Sequence, residues 1–200
     1  MEEIKIRTAN LSDSENILKI YEPYIIETAI TFEYDVPELK HFEKRIQTTL
    51  EKYPYIVAEK NGDILGYAYA SPFKGRIAYN HCAEVSIYVK KGTTGLGIGK
   101  KLYNVLEGIL KLQGIINLYA FITLPDVEND VFLDRNSYDF HKHMGYKTVG
   151  EFLKSGYKFE RWYNVVCMEK LIGRHTESPG EIKWFSAFED EFKDIYKKIG

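Results

Sequence analysis

A run of glycines carries the clearest chemical signal in this chain: Gly92, Gly95, Gly97 and Gly99 crowd into one short stretch, and Lys100 and Lys101 follow at once. An alternating segment, Glu84-Val85-Ser86-Ile87-Tyr88-Val89, precedes the run, and an amphipathic pattern with Leu102, Val105, Leu106, Ile109 and Leu110 follows it. Strand, glycine turn and helix in that order make an anion site. Glycine lets the backbone turn through positive φ and come close to a ligand, while the unpaired amides at the helix start attract phosphate oxygens. The spacing excludes two nucleotide motifs. A P-loop has the form G-x-x-x-x-G-K-[ST], whereas Gly95 lies one residue too close to Gly99-Lys100, and Lys101 stands where the hydroxyl belongs. The dinucleotide fingerprint G-x-G-x-x-G fails as well, because Leu102 takes the place of its last glycine. A phosphate-bearing ligand of another kind, or a tight turn that binds nothing, remains. No metal pair stands out: His141 and His143, two apart in a helical stretch, point to different faces.

The rest of the chain must position that turn. At 200 residues it suits one ordinary domain with room for an appendage, and 44% hydrophobic with 28% charged residues is the composition of a folded protein. The net charge of −2 argues against nucleic acid and against an anionic membrane surface, both of which call for a basic excess. Two distant cysteines, Cys82 and Cys167, the lack of an apolar leader in MEEIKIRTANL and the lack of a bilayer-length apolar run lead to the expectation of a reduced, cytoplasmic protein. The 16 tyrosines and 11 phenylalanines are expected mostly as core filler.

Read in order, Ile4 to Arg7 alternates like a strand, and Ser12 to Glu15 caps a helix that Pro23 bends or ends. A loop over 27–34 leads to a second helix after Pro37, with Leu39, Phe42, Ile46 and Leu50 at helical spacing. Asn61-Gly62 joins the strands 55–59 and 64–70 as a hairpin. After the glycine turn and its helix, closed by Gly114, come a strand over 115–124, an acidic loop over 127–135 and a short helix over 138–144. Two strands, 147–154 and 163–170, are separated by a connection over 155–162, and a linker over 173–180 precedes an amphipathic helix over 181–199. Hairpins mixed with crossovers predict an α/β (α+β) fold, a mixed, mostly antiparallel sheet flanked by helices. The domain is expected over 1–173, with 174–200 as a helical extension that docks back on it.

Thr94-Gly95-Leu96-Gly97-Ile98-Gly99 resembles the acetyl-CoA pyrophosphate signature of the GNAT acetyltransferases, with Thr94 in place of the usual glutamine or arginine. Together with Ala70 to Lys74, Arg76, Ala78-Tyr79, Glu84 to Val89, Leu102-Tyr103, Gly156-Tyr157-Lys158 and Trp162, the pattern is similar to the phosphinothricin N-acetyltransferase branch from Ile4 to Ile172. The resemblance implies a GNAT fold, acetyl-CoA as co-substrate and acetylation of the amine of a small molecule, an amino acid or analogue. It implies Glu84 as general base, a role suited to a carboxylate raised toward neutrality by a partly dry cleft. It implies that Ile87, Tyr88 and Val89 hold the pantetheine arm and an oxyanion through their backbones, and that Thr94, Gly95, Leu96, Gly97, Ile98, Gly99 and Lys100 hold the pyrophosphate. Asn136 and His141 resemble the helix beside the cofactor, and His141 stands where relatives carry a thiolate-protonating tyrosine. Phe32, Lys74, Arg76 and Tyr79 resemble the acceptor contacts, and arginine with lysine would suit an anionic amino acid. Relatives of this kind also suggest a homodimer. Two other readings stay open: an acetyltransferase for protein N-termini or lysines, and a non-catalytic acyl-CoA sensor, which Glu84 disfavours.

Overall fold

The computed structural model describes residues 3–93, 95–127, 129–188, 191, 195 and 196. Among these residues seven strands form one sheet in the order β1-β2-β3-β4-β5-β7-β6: β1 Lys5–Thr8, β2 Tyr55–Lys60, β3 Asp63–Pro72, β4 Cys82–Val89, β5 Asn117–Leu124, β6 Lys147–Lys158 and β7 Arg161–Leu171. Every pairing is antiparallel except β4 with β5. The helices are α1 Ser14–Glu27, α2 Leu39–Lys52, α3 Ile98–Gln113 and α4 Asn136–His143. This is the mixed, mostly antiparallel sheet with flanking helices that the element order predicts.

Because side chains alternate across a strand, β2 to β4 build two cores. Ile56, Ala68 and Val85 pack with Leu102, Val105, Leu106 and Ile109 of α3. On the opposite face Tyr55, Val57 and Tyr67 pack with Ile17, Tyr21 and Ile25 of α1 and Phe42 and Ile46 of α2. That second core is lined with tyrosine: Tyr55 stacks on Tyr69 with centroids 4.9 Å apart, and Tyr67 on Tyr88 at 5.3 Å. Tyr88 belongs to this layer, so its ring faces away from α3.

The hairpin at Asn61-Gly62 forms with both residues left-handed, φ 56° and 84°, the pair a two-residue turn of this kind favours. Two boundaries differ from expectation. Helix α1 runs through Pro23 to Glu27, with Lys19 and Glu15 paired on its outer face. The expected connection over 155–162 is also mostly strand: β6 and β7 continue to a tight turn at Phe159-Glu160, whose φ values are 50° and 58°. Neither turn residue is glycine or asparagine, so the local sequence lacks the usual hairpin mark.

The chain after Gly173 packs back on the domain. Phe185 is 1% exposed and joins the α3 core with Ile182, Trp184 and Phe188. Gln113, at the end of α3, donates to the carbonyls of Lys52 and Lys183 and so ties the segment to the α2–β2 junction. Residues 181–184 are not helical and 185–188 are. Phe192 and Ile199, on the apolar face expected of the helix over 181–199, lie outside the described residues. Among the described residues, no helix is long and apolar enough to cross a membrane.

Candidate active site

The site begins where two strands part. Strand β4 pairs with β3 from Pro72↔Ala83 to Gly66↔Val89, but with β5 only from Cys82↔Asn117 to Glu84↔Tyr119. Beyond Glu84, β5 stays with β7 as far as Leu124. The two strands therefore diverge, and a cavity of about 50 Å³ opens between Val85–Tyr88 and Ala120–Thr123. Ile30, Ser137 and His141 close it. A cleft of about 550 Å³ adjoins this cavity, since Ile30, Ile87 and Ser137 line both. Its walls are Ile87, Val89 and Lys91 on one side and Asn136, Ser137 and Phe140 of α4 on the other, with residues 130–134 along the rim. Apolar walls with a few polar groups are usual for a ligand cleft.

At the far end of β4 the glycine turn leads into α3. Gly97 caps the helix in the left-handed region, φ 73°, with no side chain satisfying the first amides and no acidic residue in the first turn. The space beside Gly97 is open. Uncapped amides at the positive end of a helix, reached over side-chain-free backbone, fit an anion such as a pyrophosphate. Ile98 is buried and anchors the turn, whereas Gly95, Leu96 and Lys100 are exposed. Gly99 serves close packing, because a Cβ there would lie 3.0 Å from the Phe140 ring. Thr94 lies outside the described residues.

Glu84 sits at the fork, half-buried, on the sheet face opposite α3. Its neighbours across the strands are Ser71 and Tyr119. Burial pushes its carboxyl pKa up, and the charge of Lys74 opposes that shift without cancelling it. Lys74 is exposed and lies over the Phe73 ring, 5.2 Å from the centroid. Phe73 stacks on Tyr119 at 4.0 Å and meets Tyr79 edge-on at 5.8 Å, so Lys74 and Tyr79 reach the Glu84 face through one aromatic group. Arg76 is exposed at the start of a 3-10 turn, Ile77–Tyr79. Phe32 points elsewhere: its ring lies over Gly156 and tilts against Tyr163 at 6.4 Å. From the same loop it is Ile30 that enters both cavities, a residue the sequence pattern does not single out.

His141 is 4% exposed. Its Nδ1 lies 2.7 Å from the Ser137 carbonyl, which can only accept, so Nδ1 carries the proton. Its Nε2, 2.8 Å from Tyr103 Oη, then accepts from the phenol. Burial pushes the imidazole pKa down to about 4. A neutral ring with both nitrogens engaged has no proton to give a thiolate, so His141 braces Ser137 and Tyr103 at the cavity wall. Asn136 is turned back toward Asp134, to which its side-chain amide donates.

A sheet forked beside a half-buried carboxylate, with uncapped helix amides at the end of the parted strand, is an arrangement suited to acyl transfer. Residues 6–167 match the acetyltransferase (GNAT) domain model, and the chain belongs to that family. It is similar to the phosphinothricin N-acetyltransferase of Streptomyces viridochromogenes, 31% identical over 81% of this chain and 84% of that one. It is 26% identical to the L-methionine sulfoximine/L-methionine sulfone acetyltransferase of Pseudomonas aeruginosa over 87% and 98% of the two chains. A crystal structure of a GNAT superfamily phosphinothricin acetyltransferase from Sinorhizobium meliloti, in complex with AcCoA, superposes with a TM-score of 0.81 at 28% identity, covering 93% and 97%.

Proposed function

We propose that the protein transfers an acetyl group from acetyl-CoA to the amine of a small amino acid or analogue, of the phosphinothricin or methionine sulfoximine kind. The observation that carries the reading is Glu84, a carboxylate with a raised pKa at the fork of β4 and β5. Acetyl-CoA would lie with its pyrophosphate at Gly95–Lys100 and its arm along Ile87, Tyr88 and Val89, and it supplies the activated acyl carbon. Glu84 takes the proton that leaves the acceptor's ammonium, so the free amine can form the new C–N bond as the C–S bond breaks. Backbone N–H groups of parted β4 offer stabilisation to the oxygen that gains charge. Lys74 and Arg76 suit the acceptor's acidic group. The amine nitrogen gives up its second surplus proton to solvent as the C–N bond forms, and the departing thiolate takes one from solvent in this scheme, since the His141 Nδ1 proton is engaged by the Ser137 carbonyl.

Glu84→Gln should lower kcat/KM by about 10²–10⁴-fold, the range for loss of a general base, in a thiol-release assay with acetyl-CoA and amino acids. Because burial raises the Glu84 pKa, the base form is lost as pH falls through that raised value. The acid limb of the wild-type profile should therefore lie above the ordinary glutamate value of about 4.3. Full turnover by Glu84→Gln at neutral pH would end this mechanism.

The reading extends to a cytoplasmic homodimer. Both cysteines are free, which accords with a reducing compartment. Support for the dimer is the edge strand β6 and its neighbour β7, where Val149, Phe152, Leu153 and Trp162 are more than half exposed.

A further inference from the structure

We propose that Lys158 is a positioning residue for the transfer reaction: buried beneath the α1–α2 connection, its ammonium fixes residues 28–32 as the cleft wall on which Ile30 sits. The inference rests on the acetyl-transfer reading. Lys158 ends strand β6 and is 2% exposed. Its Nζ donates to the carbonyls of Ile25 at 2.7 Å, Thr28 at 2.9 Å and Thr31 at 2.8 Å. An ammonium has three donors and no acceptor, and here each donor meets a main-chain oxygen. Two of those oxygens belong to the final turn of α1 and the residue after it, where a helix leaves carbonyls unpaired and its dipole favours a cation. The third belongs to the irregular segment beyond. One charge, brought from more than a hundred residues away, thus ends α1 and bends the chain that follows.

The same strand end grips the segment twice more. Gly156 has no room for a side chain, since a Cβ would lie 2.0 Å from the Phe32 ring. Tyr34 Oη donates to the Tyr157 carbonyl. From the other side the Ala29 amide donates to the Phe132 carbonyl at 3.0 Å, and Phe132 stacks on Phe159 at 4.2 Å. Between these anchors Ile30 projects into the cavity with Ile87, Ser137 and His141. Burial pulls the Lys158 pKa down, with Glu33 opposing; neutralising the group would leave one of the three carbonyls without a donor and removing it would leave all three, the costly outcome for polar groups away from water.

The test pairs kinetics with hydrogen exchange. Lys158→Met should raise exchange of the Ala29 and Ile30 amides roughly tenfold, leaving the β5 and β7 amides unchanged, as expected for local opening. It should lower kcat/KM for the amine about ten- to a hundredfold, the scale of a small misplacement at a reacting centre. CoA affinity, which depends on the glycine turn, should stay within about twofold. Gly156→Ala should show the same split, by displacing Phe32 while Lys158 is intact, and Lys158→Arg should restore part of the loss. Unchanged exchange or unchanged amine kinetics in a cooperatively folded Lys158→Met overturns the proposal, and so does a loss that tracks CoA affinity. If Lys158→Met fails to fold, Lys158→Gln, with two donors on a shorter stem, is judged by the same criteria. A wild type that releases no CoA with any amine removes the acetyl-transfer reading instead, while the exchange result still decides whether Lys158 holds the segment.

Discussion

His141, at the cavity wall, has both ring nitrogens engaged and its pKa lowered by burial. It occupies the helix beside the cleft, as the resemblance implies, but its protonation is fixed by two buried partners, Ser137 and Tyr103. The depressed pKa makes it a stability switch. The unfolded imidazole titrates near 6.5 and the folded one at about 4, so between those values the unfolded chain binds the extra proton. Stability should therefore be complete above about pH 6.5, decline as pH falls toward 4 and level off below, by up to about 3 kcal/mol from this group. Urea unfolding at pH 7.5 and pH 5 measures this directly. His141→Gln should be less stable at the higher pH and should lose this part of the slope; an unchanged slope would place the proton elsewhere.

At the scale of elements, the β4–turn–α3 unit was legible because its signals are local: alternation, glycine spacing and an amphipathic stripe. Gly97 gives the corresponding prediction. An alanine there would be forced into the left-handed region at a cost of about 1–2 kcal/mol, and its methyl would enter the open space beside the uncapped amides. Gly97→Ala should therefore lower stability and raise the KM for acetyl-CoA, leaving the KM for the amine nearly unchanged in steady-state assays. The β6–β7 turn was illegible for the converse reason: Phe159 and Glu160 accept left-handed backbone because Phe159 is stacked on Phe132 from a distant loop. Likewise Ile30 and Lys158 gain their places through long-range docking, to which no spacing rule refers. Glu84 was singled out through the family resemblance, but the partial pairing of β4 with β5 beside it appears only in the fold.

At the scale of the whole molecule, two faces differ in how they are covered. The α3 side is closed by the C-terminal segment, where Trp184 meets Tyr53 at 5.8 Å and the Tyr196 hydroxyl lies 2.9 Å from Thr8 Oγ1. We propose on this basis that 174–200 is an extension of the 1–173 domain, whose described residues Phe185 and Ile195 join the α3 core. Among the described residues nothing covers the β6–β7 edge, where Val149, Phe152, Leu153 and Trp162 are exposed, and the proposed homodimer would join two copies there. Light scattering should give twice the chain mass at micromolar concentration, and Leu153→Lys with Trp162→Glu should return a folded monomer. A wild type that runs as a monomer would dispose of the dimer.

The early end of pairing between β4 and β5 has one more consequence. The sheet has an outer edge at β6 and an inner one along Val85–Val89, where pairing with β5 has ended and α4 and residues 130–134 line the facing wall of the cleft. A backbone ladder that stops part-way inside a protein offers its unpaired groups to an extended ligand, which can pair with them as an added strand would. Whatever fills it adds its own hydrogen bonds to the sheet, so ligand and fold strengthen each other by mass action.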